Sequence, residues 1–330
     1  MIKKILGLFA IMLLMMSSIV SADNYQDYEI DEKGCYCPPP PLRPEIDVVF
    51  VIDSTGSMTD EIRAVKTHIT NIVREVESGQ PSPELRVGIV TYRDHKLEEN
   101  EYVYKTSKLT NNLDSSLRFL EHIEARGGGD TPEAVADGLD QAVSHMNWMD
   151  NSKKLIFLIG DAAPHGEGST DQNYQQGCPE GHDYKDSIEE AQEKDIKIFA
   201  ISGSGMDSTG TNIWREIARK TGGEYEKLNY VRQNLDVYYE EEGIDEKYAD
   251  EARADSDYDS SSNTILTNTF GKFAKKALMT EAADMGVRYD DTESEVIHYD
   301  NLVTGDAITE VEDSQLGSFF KKVFDKLVFW

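Results

Sequence analysis

Cysteine is scarce in this sequence: Cys35, Cys37 and Cys178 are the only three in 330 residues. So sparse a set excludes a small scaffold built on disulfides and leaves folding to a hydrophobic core. Positive charge is also in short supply, with 33 Lys and Arg against 62 Asp and Glu, a formal net charge of -29. Such a chain repels phosphate backbones and anionic headgroups, which excludes nucleic acid and acidic membranes as main partners. Beyond the first 22 residues no apolar run approaches the length of a membrane span. No Gly-x-Gly-x-x-Gly follows the first predicted strand, and no strand leads into a Gly-x-Ser-x-Gly turn. A dinucleotide enzyme and a serine hydrolase are disfavoured accordingly. What is present is a 39% apolar share, enough for a real core and incompatible with a wholly disordered chain.

The first 22 residues read as a signal peptide. Lys3 and Lys4 precede the apolar stretch from Ile5 to Met16, and Val20-Ser21-Ala22 supplies small residues for cleavage before Asp23. The expected location is secreted, extracellular or cell envelope, with no transmembrane segment after cleavage. In an oxidising compartment Cys178 can bridge to Cys35 or Cys37; three free thiols or a three-thiolate metal site are the alternatives. Residues 23–45 are polar and contain Pro38 to Pro41 and Pro44, the composition of an extended spacer.

From Ile46 the pattern changes. Val48 to Ile52 and Leu155 to Ile159 are unbroken apolar runs, as in strands covered on both faces. Met58, Ile62, Val65, Ile69, Ile72, Val73 and Val76 recur at helical spacing. Further strands are predicted at Leu85–Val90, Tyr102–Leu109 (an edge), Ile196–Ile201 and Glu224–Leu228. Helices are predicted around Leu113–Ile123, Val135–Met146, Ile188–Ala191 and Ile213–Ala218, the last stopping at Gly222-Gly223. This alternation predicts an α/β fold: a doubly wound, mostly parallel central sheet with helices on both faces. The domain is expected over residues 46–283, with an acidic insertion at about 236–262 and a C-terminal tail over 284–330 that carries an amphipathic helix.

Open parallel sheets bind ligands where strands end, so the residues following each strand matter most. The first strand runs into Asp53-Ser54-Thr55-Gly56-Ser57, which puts an acid and two hydroxyls at alternate positions. The strand ending at Gly160 is followed by Asp161, and a third loop reads Gly127-Gly128-Gly129-Asp130-Thr131-Pro132-Glu133. Oxygen-only donors of this kind suit a hard cation such as Mg²⁺. Each residue also has a purely local reading. Thr131 before Pro132 fits a helix N-cap, Asp130 with Glu133 fits a capping box, and Ser57 can cap the first helix.

The five residues Asp53, Thr55, Ser57, Thr131 and Asp161 together resemble the metal-ion-dependent adhesion site of the von Willebrand factor type A (vWA) domain, with Thr55 in place of the first serine of its Asp-x-Ser-x-Ser motif. The resemblance covers Ile46 to Leu228. Its glycine-rich loop and Asp161-Ala162-Ala163-Pro164-His165-Gly166 look like the subgroup found with alpha-type atypical kinases, although no kinase sequence is visible here. The resemblance implies a Mg²⁺ or Mn²⁺ ion held by Ser57, Thr55 and Thr131, with Asp53 and Asp161 acting through waters. The ion's vacant position would accept an Asp or Glu from a partner protein. It implies a binding module and not an enzyme. The rivals are an envelope structural or assembly protein with an incidental metal site, and a metal-dependent phosphatase, which would want a second acid where Thr55 stands.

Three segments invite a role around that site. The long loop from Pro164 to Tyr184 leaves directly from Asp161 and is expected to shape the contact surface; its His165 and His182 read as surface residues. Asp255-Ser256-Asp257-Tyr258-Asp259 opens like a Ca²⁺ loop but has Ser260 and Leu266 where glycine and glutamate belong, so a solvated acidic insertion is expected instead. Leu266, Phe270, Phe273, Ala274, Ala277 and Leu278 predict a last helix. In the tail, Leu316, Phe319, Phe320, Val323, Phe324 and Leu327 form one apolar helix face, expected to dock on the domain.

Overall fold

The computed structural model describes residues 43–95, 101–128, 131–167, 171, 173–242 and 258–289. The expected signal peptide, most of the proline-rich spacer with Cys35 and Cys37, residues 243–257 of the acidic stretch and the tail helix lie outside the described residues.

Six strands make the main sheet: β1 (Glu45–Asp53), β2 (Glu84–Tyr92), β3 (Tyr104–Thr110), β4 (Lys153–Gly160), β5 (Ile196–Ser202) and β6 (Tyr225–Lys227). Their order is β3-β2-β1-β4-β5-β6. All neighbours pair in parallel except β3, which runs antiparallel to β2 at the edge. β1 and β4 lie inside the sheet, and their apolar residues are at most 1% exposed. A strand buried on both faces has no polar side to show, which is why these two read as continuous apolar runs.

Helices cover both faces. α1 (Thr59–Glu77) and α2 (Leu113–Glu121) pack with Val48, Phe50 and Ile52 on one side. α3 (Val135–Ser144), α4 (Tyr184–Glu193) and α5 (Ser208–Thr221) pack with Val49 and Val51 on the other. Phe50, Phe157 and Phe199 stack across three adjacent strands at 5.3 and 5.2 Å between ring centroids. Such pairs contribute about 0.5–1.5 kcal/mol each beyond their buried area. Asp207 accepts from Gly210 N to open α5, and Gly222 at φ +77 closes it. At the amino ends of the strands the fully buried Asp47 accepts Arg86 Nε at 2.7 Å and Nη2 at 2.5 Å, together with Met149 N and Ser152 Oγ. The architecture is the doubly wound α/β sheet expected from the alternation.

The described residues after β6 hold more regular structure than their charge suggested. β7 (Tyr230–Asn234), α6 (Leu235–Glu242), β8 (Tyr258–Asp259) and β9 (Thr264–Asn268) follow, and the three strands form an antiparallel sheet in the order β7-β9-β8. Leu235, Tyr238 and Ile265 give this unit its own small core. Leu266 lies in β9 and not on the last helix, α7 (Phe270–Asp284). The β-branched Thr264, Ile265 and Thr267 carry the strand preference, whereas Leu266 fits helical spacing with Phe270 and Phe273 and so suggested a helix. Asp259 is engaged locally: Ser261 N and Oγ donate to its Oδ1 and Ser262 Oγ to its Oδ2. Asp255 and Asp257 of the Ca²⁺-loop reading lie outside the described residues. α7 returns to the main core through Phe270, Ala274, Ala277 and Leu278. None of the described helices is long and apolar enough to cross a membrane.

Candidate functional site

Asp53 ends β1 and is fully buried. Its Oδ1 accepts Thr55 N and Thr55 Oγ1, both at 2.8 Å. Thr55 Oγ1 lies 3.4 Å from Ser57 Oγ, and the Ser57 hydroxyl favours the charged form of the nearby Asp161 carboxyl. The extended backbone at Thr55 (φ -71, ψ 167) carries the chain into a 3-10 turn, Gly56–Met58, that opens α1. Extended geometry puts Asp53 and Thr55 on the same side, and the 3-10 turn then brings the Ser57 hydroxyl beside that of Thr55.

Backbone bonds hold the neighbouring loops against this line. Arg126 N donates to Ser54 O at 3.0 Å, Gly56 N to Gly127 O at 3.1 Å, and Glu133 N to Ala163 O at 3.0 Å. Gly128 sits at φ +79 beside Thr55; a Cβ there would lie 3.3 Å from Thr55 Cβ and 3.0 Å from Glu133 Oε1. That close approach is what the glycine run provides. Thr131 belongs to the same stitched loop, and its side chain is exposed. It is not a helix cap: α3 begins at Val135, with Ala134 before it. Asp130 lies outside the described residues.

The electrostatics are unusual for an acidic cluster. Asp53 Oδ2 is buried without a hydrogen-bond partner. Burial and then the charge of Asp161 push the Asp53 carboxyl up to about 8, against the two bonds from Thr55, with Glu61 adding to the rise. The Asp161 carboxyl is raised by burial and by Glu61, against the bond from Ser57. Burial, followed by the charges of Asp53, Asp161 and Glu133, raises the Tyr92 phenol well above its usual value.

Glu61 carries no local signal in the sequence, and Glu133 departs from the capping box its spacing suggested, since it lies before α3, which begins at Val135. Glu61 is 2% exposed in the first turn of α1 and accepts Ser204 N, Ser204 Oγ and the Tyr230 hydroxyl. Glu133 is 3% exposed. An acid in a helix's first turn normally reads as a complement to the helix dipole, so nothing local signalled the burial of Glu61. His165 is a correction: it is buried, not on the surface. Its Nε2 lies 2.7 Å from Asp94 Oδ1 and its Nδ1 3.0 Å from Asp171 Oδ2. Burial lowers its pKa, but the two carboxylates outweigh that and the net shift is upward. Cys178 is buried and has no disulfide partner among the described residues; Cys35 and Cys37 lie outside them.

Comparison with known proteins decides the family. The von Willebrand factor A domain pattern matches residues 47–229. This chain belongs to the vWA family. The alpha-protein kinase vwkA of Dictyostelium discoideum is 30% identical over 138 residues, 41% of this chain and 22% of that protein. Human von Willebrand factor A domain-containing protein 7 is 32% identical over 131 residues, 40% of this chain and 13% of that one. The match thus spans less than a quarter of either relative. Platelet adherence protein A of Streptococcus gordonii is 26% identical over 219 residues, 48% of this chain and 6% of its own length. Among solved structures, a von Willebrand factor type A protein from Catenulispora acidiphila superposes with a TM-score of 0.45 at 12% identity, covering 73% of this chain and 43% of that one. The vWA domain of this chain is an interaction module by family, and the loops at the carboxyl ends of β1 and β4 are where its sheet presents polar groups.

Proposed function

We propose that this vWA domain holds a Mg²⁺ or Mn²⁺ ion through Asp53, Thr55, Ser57, Thr131 and Asp161, and through it binds an Asp or Glu side chain of a partner protein. One observation carries the reading: Asp53 is fully buried, has an unpartnered Oδ2, and faces a second acid, Asp161, across two hydroxyls. A buried carboxylate oxygen without a donor costs several kcal/mol unless a cation compensates it. The donor set is all oxygen, which favours a hard divalent ion over a thiophilic one.

In this reading the neutral hydroxyls of Thr55, Ser57 and Thr131 contact the ion, and the carboxylates of Asp53 and Asp161 orient its waters. The ion supplies positive charge that the hydroxyls leave largely uncancelled, so a foreign carboxylate is attracted despite the acidity of the chain. Thr55 keeps the Asp53 carboxylate in place through its own N–H and hydroxyl. The role is binding, not catalysis. A secreted or envelope location fits the amino-terminal sequence, and the name of the Streptococcus gordonii relative accords with work at a surface.

Calorimetric titration tests the proposal. Millimolar Mg²⁺ or Mn²⁺ should give a binding isotherm of one ion per chain, and Ser57→Ala should lose it. Capture of an Asp- or Glu-presenting partner should vanish in EDTA. No heat with either ion, or unchanged partner capture by Ser57→Ala, would rule the reading out.

A further inference from the structure

The geometry points to a second metal site, built from His95, Asp137 and Cys178, that takes a borderline or soft divalent ion such as Zn²⁺ and clamps the Pro164–Tyr184 loop to the body of the domain. It shares no residue with the oxygen site proposed above and does not depend on it.

Three separate segments supply the ligands. His95 follows β2, Asp137 lies in the first turn of α3, and Cys178 comes from the long loop. Asp137 is fully buried, Cys178 is 9% exposed, and the His95 side chain is 5% exposed. Cys178 Sγ lies 3.5 Å from His95 Nε2 and 3.4 and 3.3 Å from the two Asp137 oxygens. His95 Nε2 lies 3.1 Å from Asp137 Oδ2. A tetrahedral ion with sulfur at about 2.3 Å and nitrogen or oxygen at about 2.0–2.2 Å spaces its ligand atoms roughly 3.3–3.7 Å apart. The observed 3.1–3.5 Å edges come close to that spacing.

The chemistry of the set also favours zinc over magnesium. One thiol, one imidazole and one carboxylate are donors that Mg²⁺ does not collect but Zn²⁺ does. A thiolate and a carboxylate together neutralise a divalent charge. The surroundings support the cluster: Glu180 N donates to Cys178 Sγ at 3.3 Å. His182 Nδ1 stands 3.2 Å from Asp137 Oδ1, and this buried nitrogen makes no hydrogen bond despite the short separation. Three protein ligands leave one coordination position open, as in zinc sites that keep a water. Since the same loop departs from Asp161, an ion at Cys178 would hold the surface beside the oxygen site in one shape.

The test uses the full chain with Mg²⁺ present in excess, so that any oxygen-ligand site is already filled. Zn²⁺ should bind at one per chain and raise the melting temperature. Co²⁺ should give the absorption of a four-coordinate site with a thiolate charge-transfer band. Cys178→Ser should abolish that band, and His95→Gln and Asp137→Asn should weaken Zn²⁺ binding at least tenfold. A Cys35→Ser/Cys37→Ser variant should keep all three signals, since those thiols are the other possible source of sulfur. Absence of Zn²⁺ binding by the unaltered chain, a cobalt spectrum without a thiolate band, or a band that survives Cys178→Ser or disappears with Cys35 and Cys37 would overturn the site. A merely hydrogen-bonded triad gives the first of these results, and measuring the unaltered chain keeps the test valid if a variant fails to fold.

Discussion

The clearest pH effect should come from His68, on the seam where α1 meets α6 and α7. It is 3% exposed, its Nε2 lies 3.4 Å from the Tyr238 hydroxyl, and its ring sits 6.2 Å from that of Phe270. Gly271 makes room for it: a Cβ there would fall 2.5 Å from His68 Nδ1. Burial, with the charge of Lys275 adding, lowers the imidazole pKa from 6.5 to about 4. The unfolded chain therefore takes up a proton between those values and the folded chain does not. The stabilisation is complete above pH 6.5 and is lost as pH falls towards about 4. At 1.36 kcal/mol per pKa unit the loss approaches about 3 kcal/mol, a large part of the roughly 5–15 kcal/mol that holds a domain together. Urea unfolding of the parent and of His68→Gln across this range measures it. The stability gap between the two should move by about 3 kcal/mol in favour of the variant as the solution is acidified. A gap that does not change with pH, or an NMR titration of His68 centred near 6.5, would refute the reasoning.

Two further outcomes follow from particular contacts. Arg86→Ala strips the fully buried Asp47 of its two-pronged partner, leaving only Met149 N and Ser152 Oγ; thermal and urea denaturation should show a loss of about 3–5 kcal/mol, and a loss under 1 kcal/mol would contradict the stated burial. Gly128→Ala puts a side chain at φ +79 against Thr55 and Glu133; it should cost about 1–2 kcal/mol from backbone strain and weaken Mg²⁺ binding in calorimetry, since the Thr55 hydroxyl must shift. Unaltered ion affinity in that variant would separate the glycine loop from the proposed site.

Much of this protein is legible before any coordinates. β1 and β4 announce themselves as unbroken apolar runs because both faces of a central strand are covered, and α1 does so by the spacing of Met58, Ile62, Val65 and Ile69. The grouping of Asp53, Thr55 and Ser57 is equally local: an extended step pairs the first two, and a 3-10 turn adds the third. The antiparallel strands β7 and β9 were obscured because each is only five residues long: Tyr230–Asn234 holds one β-branched residue, and Leu266 of β9 falls at helical spacing from Phe270 and Phe273.

Composition and periodicity alone determined the alternating α/β order and the loops that carry oxygen donors, because those depend on neighbours a few residues apart. Only the tertiary structure could decide which charges are buried and what they face. Glu61 meets Ser204 and Tyr230, His165 sits between Asp94 and Asp171, and Cys178 meets His95 and Asp137. These pairs are separated by 6 to 169 positions in the chain. Such meetings are created by crossover connections that fold distant loops onto one edge of a sheet, and the spacing of residues along a sequence does not encode that distance.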